Sequence, residues 1–198
     1  MLLLIRHGRA AAGIDEEDPG LDDLGRAQAL ATALALRDRG ARRLAVSPLR
    51  RTRETATLIA AALGLSPEIR SEISEVFEPG LSFENRRALL DQLLAGRWSE
   101  QSAALKAWRA RAVAAFVELA GHDGVAVSHF IAISAAIGAA LDDDRVCAWS
   151  VPNASITALE RGKRGLVLLE AGSVSHFGPE LLSHGTPLLG RGATDGAK

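Results

Sequence analysis

The sequence predicts an α/β protein, a three-layer α/β/α sandwich around a mostly parallel central sheet. One pattern carries this prediction. Short apolar runs alternate with longer stretches in which apolar residues recur at helical spacing. The chain has 198 residues, a length typical of one domain, and we expect that domain to span 1–185. Beyond it, the glycine-containing stretch 186–198 lacks periodicity and is predicted to be a flexible tail.

The predicted strands are short apolar runs that end in turn-forming or polar residues. In chain order they are the run Leu3-Leu4-Ile5, then 43–46, 125–127, and a terminal pair over 155–160 and 165–171. The first three are bounded by longer helical stretches, which favours parallel pairing among them.

The predicted helices occupy the stretches between the strands. They cover 23–39, 49–63, 101–120 and the strongly apolar 130–141. In the first, Leu24, Ala27, Ala31 and Leu34 fall on one face, which we expect to be buried, and Gly40 stands where a helix often ends. The segment 76–100, together with the stretch after Pro152, is expected to form loops over a binding pocket.

Composition and charge exclude several classes of partner. The formal net charge is −1, which gives no electrostatic case for nucleic acid or an anionic membrane. A single cysteine, Cys147, allows no intramolecular disulfide and fits a reducing compartment. No apolar run approaches the roughly 18 residues of a membrane span, so we expect a soluble, cytoplasmic protein.

Three predicted strands end in groups suited to phosphate. Arg6-His7-Gly8 follows the first, 47–51 (Ser-Pro-Leu-Arg-Arg) the second, and Ser128-His129 the third. Parallel neighbours bring such ends to one edge of a sheet, where ligands bind in open α/β folds. A neutral imidazole can attack phosphorus, a guanidinium grips phosphate with paired hydrogen bonds, and glycine permits close approach to the backbone. The sequence therefore predicts a small phosphorylated substrate.

Four segments, in their order and spacing, resemble the histidine phosphatase superfamily, with its phosphoglycerate mutase-like fold. They are Leu4-Ile5-Arg6-His7-Gly8, Leu24-Gly25-Arg26-Ala27-Gln28, the stretch 47–56, and Val127-Ser128-His129. The start of the late strand, 152–155, is also similar.

The resemblance implies a role for each matching residue. His7 is expected to be the nucleophile that becomes phosphorylated, in its neutral form and with its second ring nitrogen tied as a donor. Arg6, Arg51 and His129 are expected to surround the phosphoryl group, beside Gly8, and His129 would serve best when protonated. No cofactor and no metal is expected.

A carboxyl group must protonate the leaving alkoxide and later accept a proton from water. The resemblance places it after the second helix, where Glu72, Glu75 and Glu78 stand. Glu75 followed by Val76 fits best, and Glu72 followed by Ile73 is the alternative.

Two departures from the family pattern affect the functional prediction. Phe130 follows His129, where the family usually has glycine. It would cost about 1–2 kcal/mol at a positive φ, and little if it begins the next helix, where it would form an apolar wall beside the phosphate. Gly13 stands where phosphoglycerate mutases carry asparagine, which favours hydrolysis.

These observations predict a metal-independent phosphatase that hydrolyses phosphomonoesters through a phosphohistidine on His7. Three alternatives stay open at this point: a mutase-type phosphotransferase, a phosphate-binding or regulatory module that has lost catalysis, and a phosphatase acting on protein phosphohistidine.

Overall fold

A single sheet organises the protein. The computed structural model describes residues 1–11, 18–76 and 83–182, and six strands of these residues form the sheet. The strands are β1 (Leu2–Arg6), β2 (Arg43–Val46), β3 (Pro67–Ile69), β4 (Gly124–Ser128), β5 (Ile156–Gly162) and β6 (Gly165–Ser173). The α-helices are α1 (Asp23–Ala35), α2 (Arg50–Leu63), α3 (Phe83–Ala95), α4 (Ala103–Leu119) and α5 (Phe130–Leu141).

The strand order, β3-β2-β4-β1-β5-β6, brings the polar strand ends together. β1, β2, β3 and β4 pair in parallel, and β5 and β6 are antiparallel. Arg6 is in register with Ser128, and Val46 with Val127. The predicted common edge of the first three strands is therefore confirmed.

Helices cover both faces of the sheet, which confirms the three-layer sandwich. Because side chains alternate along a strand, Leu2 and Leu4 enter one core cluster while Leu3 and Ile5 enter the other. The first cluster includes buried residues of α3, α4 and α5, and the second includes residues of α1 and α2.

The prediction for the first helix was wrong in its end and its buried face. The helix ends at Ala35, and Leu34 is 47% exposed. The buried side instead carries Gly25, Gln28, Ala29, Thr32 and Ala33. Gln28 accepts from Arg9 N–H and donates to the Leu181 carbonyl, and Thr32 donates to backbone carbonyls. Hydrophobic periodicity fails where a buried face consists of small and hydrogen-bonding residues.

The segment 76–100 was predicted as a loop, but its described part is largely helical. It contains α3, whose Leu93 is fully buried and whose Leu89, Leu90 and Leu94 pack against the same cluster. This i, i+1, i+4, i+5 pattern of leucines indicates a helix, and the loop prediction did not take it into account. The three-residue strand β3, whose residues are all exposed, was missed as well.

The remaining predicted strands and helices are confirmed to within a few residues, and the helix over 130–141 matches α5 at both ends. Among the described residues, every helix is too short or too polar to span a bilayer. Gly13, Glu78 and the predicted tail 186–198 lie outside the described residues, and the 1–185 domain boundary stays a prediction.

Candidate active site

His7 follows β1 and is held by its backbone and its ring. Its N–H donates to the Ser128 carbonyl, and its own carbonyl accepts from Ala154 N–H and from Asn153 Nδ2. Its ring Nδ1 lies 2.7 Å from the Gly8 carbonyl oxygen. A carbonyl only accepts, so Nδ1 is the donor and Nε2 keeps its lone pair in the neutral ring. Burial, reinforced by Arg51 and Arg6, holds the pKa of His7 well below its ordinary value.

Gly8 serves this site through packing. A Cβ on Gly8 would stand 2.3 Å from the carbonyl oxygen of Gly25 in α1, so only glycine fits there. Its N–H donates to Thr55 Oγ1 over 3.1 Å, and its carbonyl fixes the His7 ring. The Gly8 carbonyl also sets the His7 tautomer, and the approach of phosphate to the Gly8 backbone stays a prediction.

Arg51, in the first turn of α2, joins the two histidines. Its Nε–H donates to His7 Nε2 over 3.2 Å, and its Nη2 lies 3.3 Å from His129 Nδ1. A guanidinium can bind phosphate in a bidentate manner through the edge formed by Nε and Nη2. In Arg51 this edge faces both histidine rings. Asp18 approaches Nη1 at 3.7 Å.

His129 precedes α5 and is fully buried. Since Arg51 can only donate, His129 Nδ1 is an acceptor, and Nε2 then donates to Ser47 Oγ over 2.7 Å. Burial lowers the pKa of His129 well below its ordinary value, and His7, Arg51 and Arg6 lower it further. For both rings the direction of the pKa shift favours the neutral form, and the expected protonation of His129 during catalysis stays a prediction.

Arg6, the last residue of β1, is a partly buried cation. Its Nη1 donates to the Val151 carbonyl over 2.7 Å, and its Nε has no hydrogen-bond partner among the described residues. Burial lowers its pKa to about 10, although the Glu75 carboxyl raises it. The guanidinium carbon lies 5.1 Å from the centre of the Phe130 ring.

Of the candidate carboxyl groups, Glu75 has the properties of a proton donor. It is buried, and its Oε1 accepts from Val76 N–H over 3.1 Å. Burial raises its pKa above the ordinary value, against the opposing influence of Val76 N–H, Arg51 and Arg6. Glu72 is 42% exposed and contacts Arg70, and its pKa is lowered. The geometry favours Glu75.

Several other charged residues are paired outside the pocket. Arg9 pairs with Asp22 at 2.6 Å and Arg50 with Glu54 at 2.8 Å, both at the surface. Asp143 and Asp144 bind Arg145 and Ser99. In the described part of the chain, no group of three or more acidic, histidine or cysteine side chains is arranged to hold a metal.

Sequence reasoning missed the groups that position these residues. Ser47 was noted only as a strand end, yet its hydroxyl orients His129. Ser128 turns away and donates to the Ile73 carbonyl over 2.7 Å, which anchors the segment leading to Glu75. A serine at the end of a buried strand is the sequence signal for such a positioning group. This signal does not indicate whether Ser47 or Ser128 faces His129.

The fold and this pocket define a class of α/β proteins that gather two histidines and two arginines at the carboxyl edge of a parallel sheet. A sequence profile described as the histidine phosphatase superfamily (branch 1) matches residues 2–173. The chain belongs to that superfamily.

Solved structures with the same fold include several phosphatases. The phosphoserine phosphatase of Entamoeba histolytica, in complex with 3-phosphoglyceric acid, aligns with a TM-score of 0.70 at 20% identity, covering 88% of this chain and 98% of its own. A mycobacterial glucosyl-3-phosphoglycerate phosphatase gives 0.65 at 21% identity, covering 87% and 98%. YhfR of Bacillus stearothermophilus gives 0.69 at 19% identity, covering 88% and 98%. A search of curated protein sequences finds no match.

Proposed function

We propose that this protein is a phosphatase that hydrolyses small phosphomonoesters through a phosphohistidine intermediate on His7. The hydrogen bond between His7 Nδ1 and the Gly8 carbonyl carries the proposal, because it leaves the Nε2 lone pair facing Arg51. A nucleophile held in one tautomer beside a phosphate-binding guanidinium is the arrangement that phosphoryl transfer needs.

In the first step, His7 Nε2 forms a bond to phosphorus while the bond from phosphorus to the ester oxygen breaks. Glu75 gives its proton to the leaving oxygen and becomes a carboxylate. The raised pKa of Glu75 supports this role, because the group must be protonated at the start.

In the second step, the Glu75 carboxylate accepts a proton from water, and the water oxygen bonds to phosphorus. The bond from phosphorus to Nε2 breaks, and its electron pair returns to the ring. Inorganic phosphate leaves, and both His7 and Glu75 are restored for another cycle.

Arg6 and Arg51 supply the positive charge that this transfer requires. Their guanidiniums stabilise the phosphoryl oxygens electrostatically, with His129 as a further hydrogen-bond donor once it binds the anion. Burial and the neighbouring arginines lower the pKa values of the two histidines, and a phosphate dianion would raise them. We propose that this set of charges suffices without a metal ion.

The position of Phe130 supports an active enzyme over an impaired binding module. Phe130, which stands where the family usually has glycine, was the main support for the module hypothesis. Phe130 is the first residue of α5, and the non-glycine residues with positive φ in the described chain are Asp123, Asp142 and Ala154. Phenylalanine is thus accommodated without strain.

The test is hydrolysis of p-nitrophenyl phosphate in excess EDTA by the wild type, His7→Ala and His122→Ala. His122 is an exposed turn residue and serves as the matched control. We expect turnover by the wild type and the control and none by His7→Ala. Radiolabel from a phosphorylated substrate should remain on the wild-type protein after an alkaline quench. Full activity of His7→Ala, or a strict need for added metal, would refute the proposal.

A further inference from the structure

The side chain of Phe130 packs against a charged group of the pocket. It is 8% exposed and belongs to the apolar cluster between the sheet and α4 and α5. Its ring lies under the Arg6 guanidinium, with 5.1 Å between the ring centre and Cζ. This is the distance of a cation–π contact, which is strongest where water is excluded.

Arg6 has few other groups to hold its guanidinium in place. Its Nη1 donates to the Val151 carbonyl, and its buried Nε finds no acceptor among the described residues. No carboxylate of these residues lies within 4.0 Å of it, unlike Arg70, which contacts three. One hydrogen bond leaves the guanidinium plane free to turn about that bond, so a second contact is needed to fix it.

The backbone makes Phe130 a rigid support. It is the first residue of α5, directly after His129, whose ring is fixed by Ser47. Arg6 and Ser128 are in register on adjacent strands, so α5 begins two residues beyond the partner of Arg6. The ring is therefore tied to the same turn that places His129.

We propose that Phe130 is a positioning residue, whose ring face holds the Arg6 guanidinium so that its remaining N–H groups point at the phosphoryl group. The aromatic ring fixes the orientation of the guanidinium, as a carboxylate would, but it carries no negative charge. The positive charge of Arg6 therefore stays available to an anion. This inference rests on the proposed function.

The experiment compares Phe130→Leu, which keeps an apolar side chain but removes the π face, with Phe130→Tyr, which retains it. The readouts are KM and kcat for p-nitrophenyl phosphate and the inhibition constant of inorganic phosphate. We expect Phe130→Leu to raise KM and weaken phosphate binding roughly 5- to 30-fold. Phe130→Tyr should stay within about threefold of the wild type.

A matched core variant separates positioning from general destabilisation. Phe116 is fully buried in the same cluster, and Phe116→Leu should lower the melting temperature while leaving phosphate binding unchanged. A double-mutant cycle then tests whether Phe130 acts through Arg6. In an Arg6→Met background, Phe130→Leu should change phosphate binding less than twofold.

Each outcome distinguishes the inference from the function on which it rests. Unchanged phosphate binding by Phe130→Leu in an active enzyme would overturn the inference alone, as would an undiminished effect without Arg6. A wild type that binds phosphate without turnover would overturn the proposed function, and calorimetric titration of phosphate would still decide the role of Phe130. A wild type that neither binds phosphate nor turns over would overturn both.

Discussion

Two clusters of this protein contain arginine and glutamate side chains and hold them under opposite electrostatic conditions. The pocket cluster consists of Arg6, Arg51, Glu75, His7 and His129. The surface cluster consists of Arg70 with Glu68, Glu72 and Glu118, at 3.6, 3.4 and 2.8 Å. In the surface cluster, carboxylates that are about half exposed surround the cation, and hydrogen bonds to Glu118 raise the pKa of Arg70. In the pocket, burial lowers the pKa of Arg6 to about 10.

The glutamates differ in the same way. Burial raises the pKa of Glu75, whereas that of Glu72 is lowered by its own backbone N–H and by Arg70. Ion pairing at a surface satisfies both partners and contributes little beyond local structure. The pocket keeps buried positive charge with incomplete compensation, and a bound phosphoryl group would relieve that cost. The comparison favours the pocket cluster as the site for an anion, because Arg6 has no carboxylate within 4.0 Å among the described residues, whereas Arg70 has three.

The largest expected effect separates the two glutamates. Glu75→Gln should lower kcat by about 10²- to 10⁴-fold for an alkyl phosphate, whose leaving oxygen needs a proton. The loss should be much smaller for p-nitrophenyl phosphate, whose leaving group is stable as an anion. Glu72→Gln is the matched control and should retain wild-type kcat on both substrates.

Initial rates on the two substrates check this prediction. Equal losses on both would mean that Glu75 does not donate the proton, and a loss in Glu72→Gln would transfer the role to the alternative carboxyl group.

The next effect separates the two arginines. Arg6→Met should lower kcat/KM by roughly 10²- to 10³-fold, the usual loss on removing one donor to a developing oxyanion. Thermal stability should hold or rise, because the substitution removes a partly buried charge that has no carboxylate within 4.0 Å among the described residues. Arg70→Met should leave kcat/KM unchanged and cost at most about 1 kcal/mol of stability, since its partners are exposed. Steady-state kinetics and thermal unfolding of both variants check this prediction. An Arg6→Met variant with lower stability and unchanged kcat/KM would mean that Arg6 serves stability rather than catalysis.

The sequence predicted much of the pocket because strand order alone positions it. Its arginines and histidines each lie close to the carboxyl end of a buried strand: Arg6 ends one, His7 and His129 follow one, and Arg51 lies in the first turn of the next helix. Parallel pairing therefore suffices to assemble them. The tautomers were not fully predictable, because they depend on contacts between residues distant in the chain, such as Ser47 with His129. The prediction of the buried face of α1 was wrong for a related reason. Gln28 and Thr32 are buried to satisfy loop backbone groups, and no hydrophobic pattern encodes that.

A smaller effect tests the orientation of His129 within the pocket cluster. Ser47→Ala removes the partner of His129 Nε2, and a buried hydrogen bond of this kind contributes about 1 kcal/mol. We expect kcat/KM to fall about fivefold. Thr57→Ala loses an exposed hydroxyl bond to the Arg53 carbonyl and should keep its activity. Parallel kinetic measurements check this pair, and a Ser47→Ala enzyme as active as the control would show that the ring is oriented by Arg51 alone.

The smallest effect is a difference in how stability depends on pH. The folded state binds the Glu75 proton more tightly than the unfolded state does, because the folded pKa is raised. The stabilisation from Glu75 is therefore full below the unfolded pKa and is lost as pH rises through the folded value. Glu72 behaves in the opposite sense: its lowered pKa contributes stability above the unfolded value, which is lost as pH falls. Its exposure keeps that contribution small.

Melting temperatures of Glu75→Gln and Glu72→Gln, each measured relative to the wild type from pH 4 to 8, test this difference. The Glu75→Gln curve should rise relative to the wild type with increasing pH, and the Glu72→Gln curve should fall slightly. About 1 kcal/mol corresponds to roughly 2–4 °C for a domain of this size, which such scans resolve. Parallel slopes for the two variants would mean that Glu75 is as well solvated as Glu72. The two clusters would then not differ in the environment of their carboxyl groups. Saturating inorganic phosphate sharpens the test, because a bound dianion should raise the pKa of Glu75 further and steepen its slope while leaving that of Glu72 unchanged.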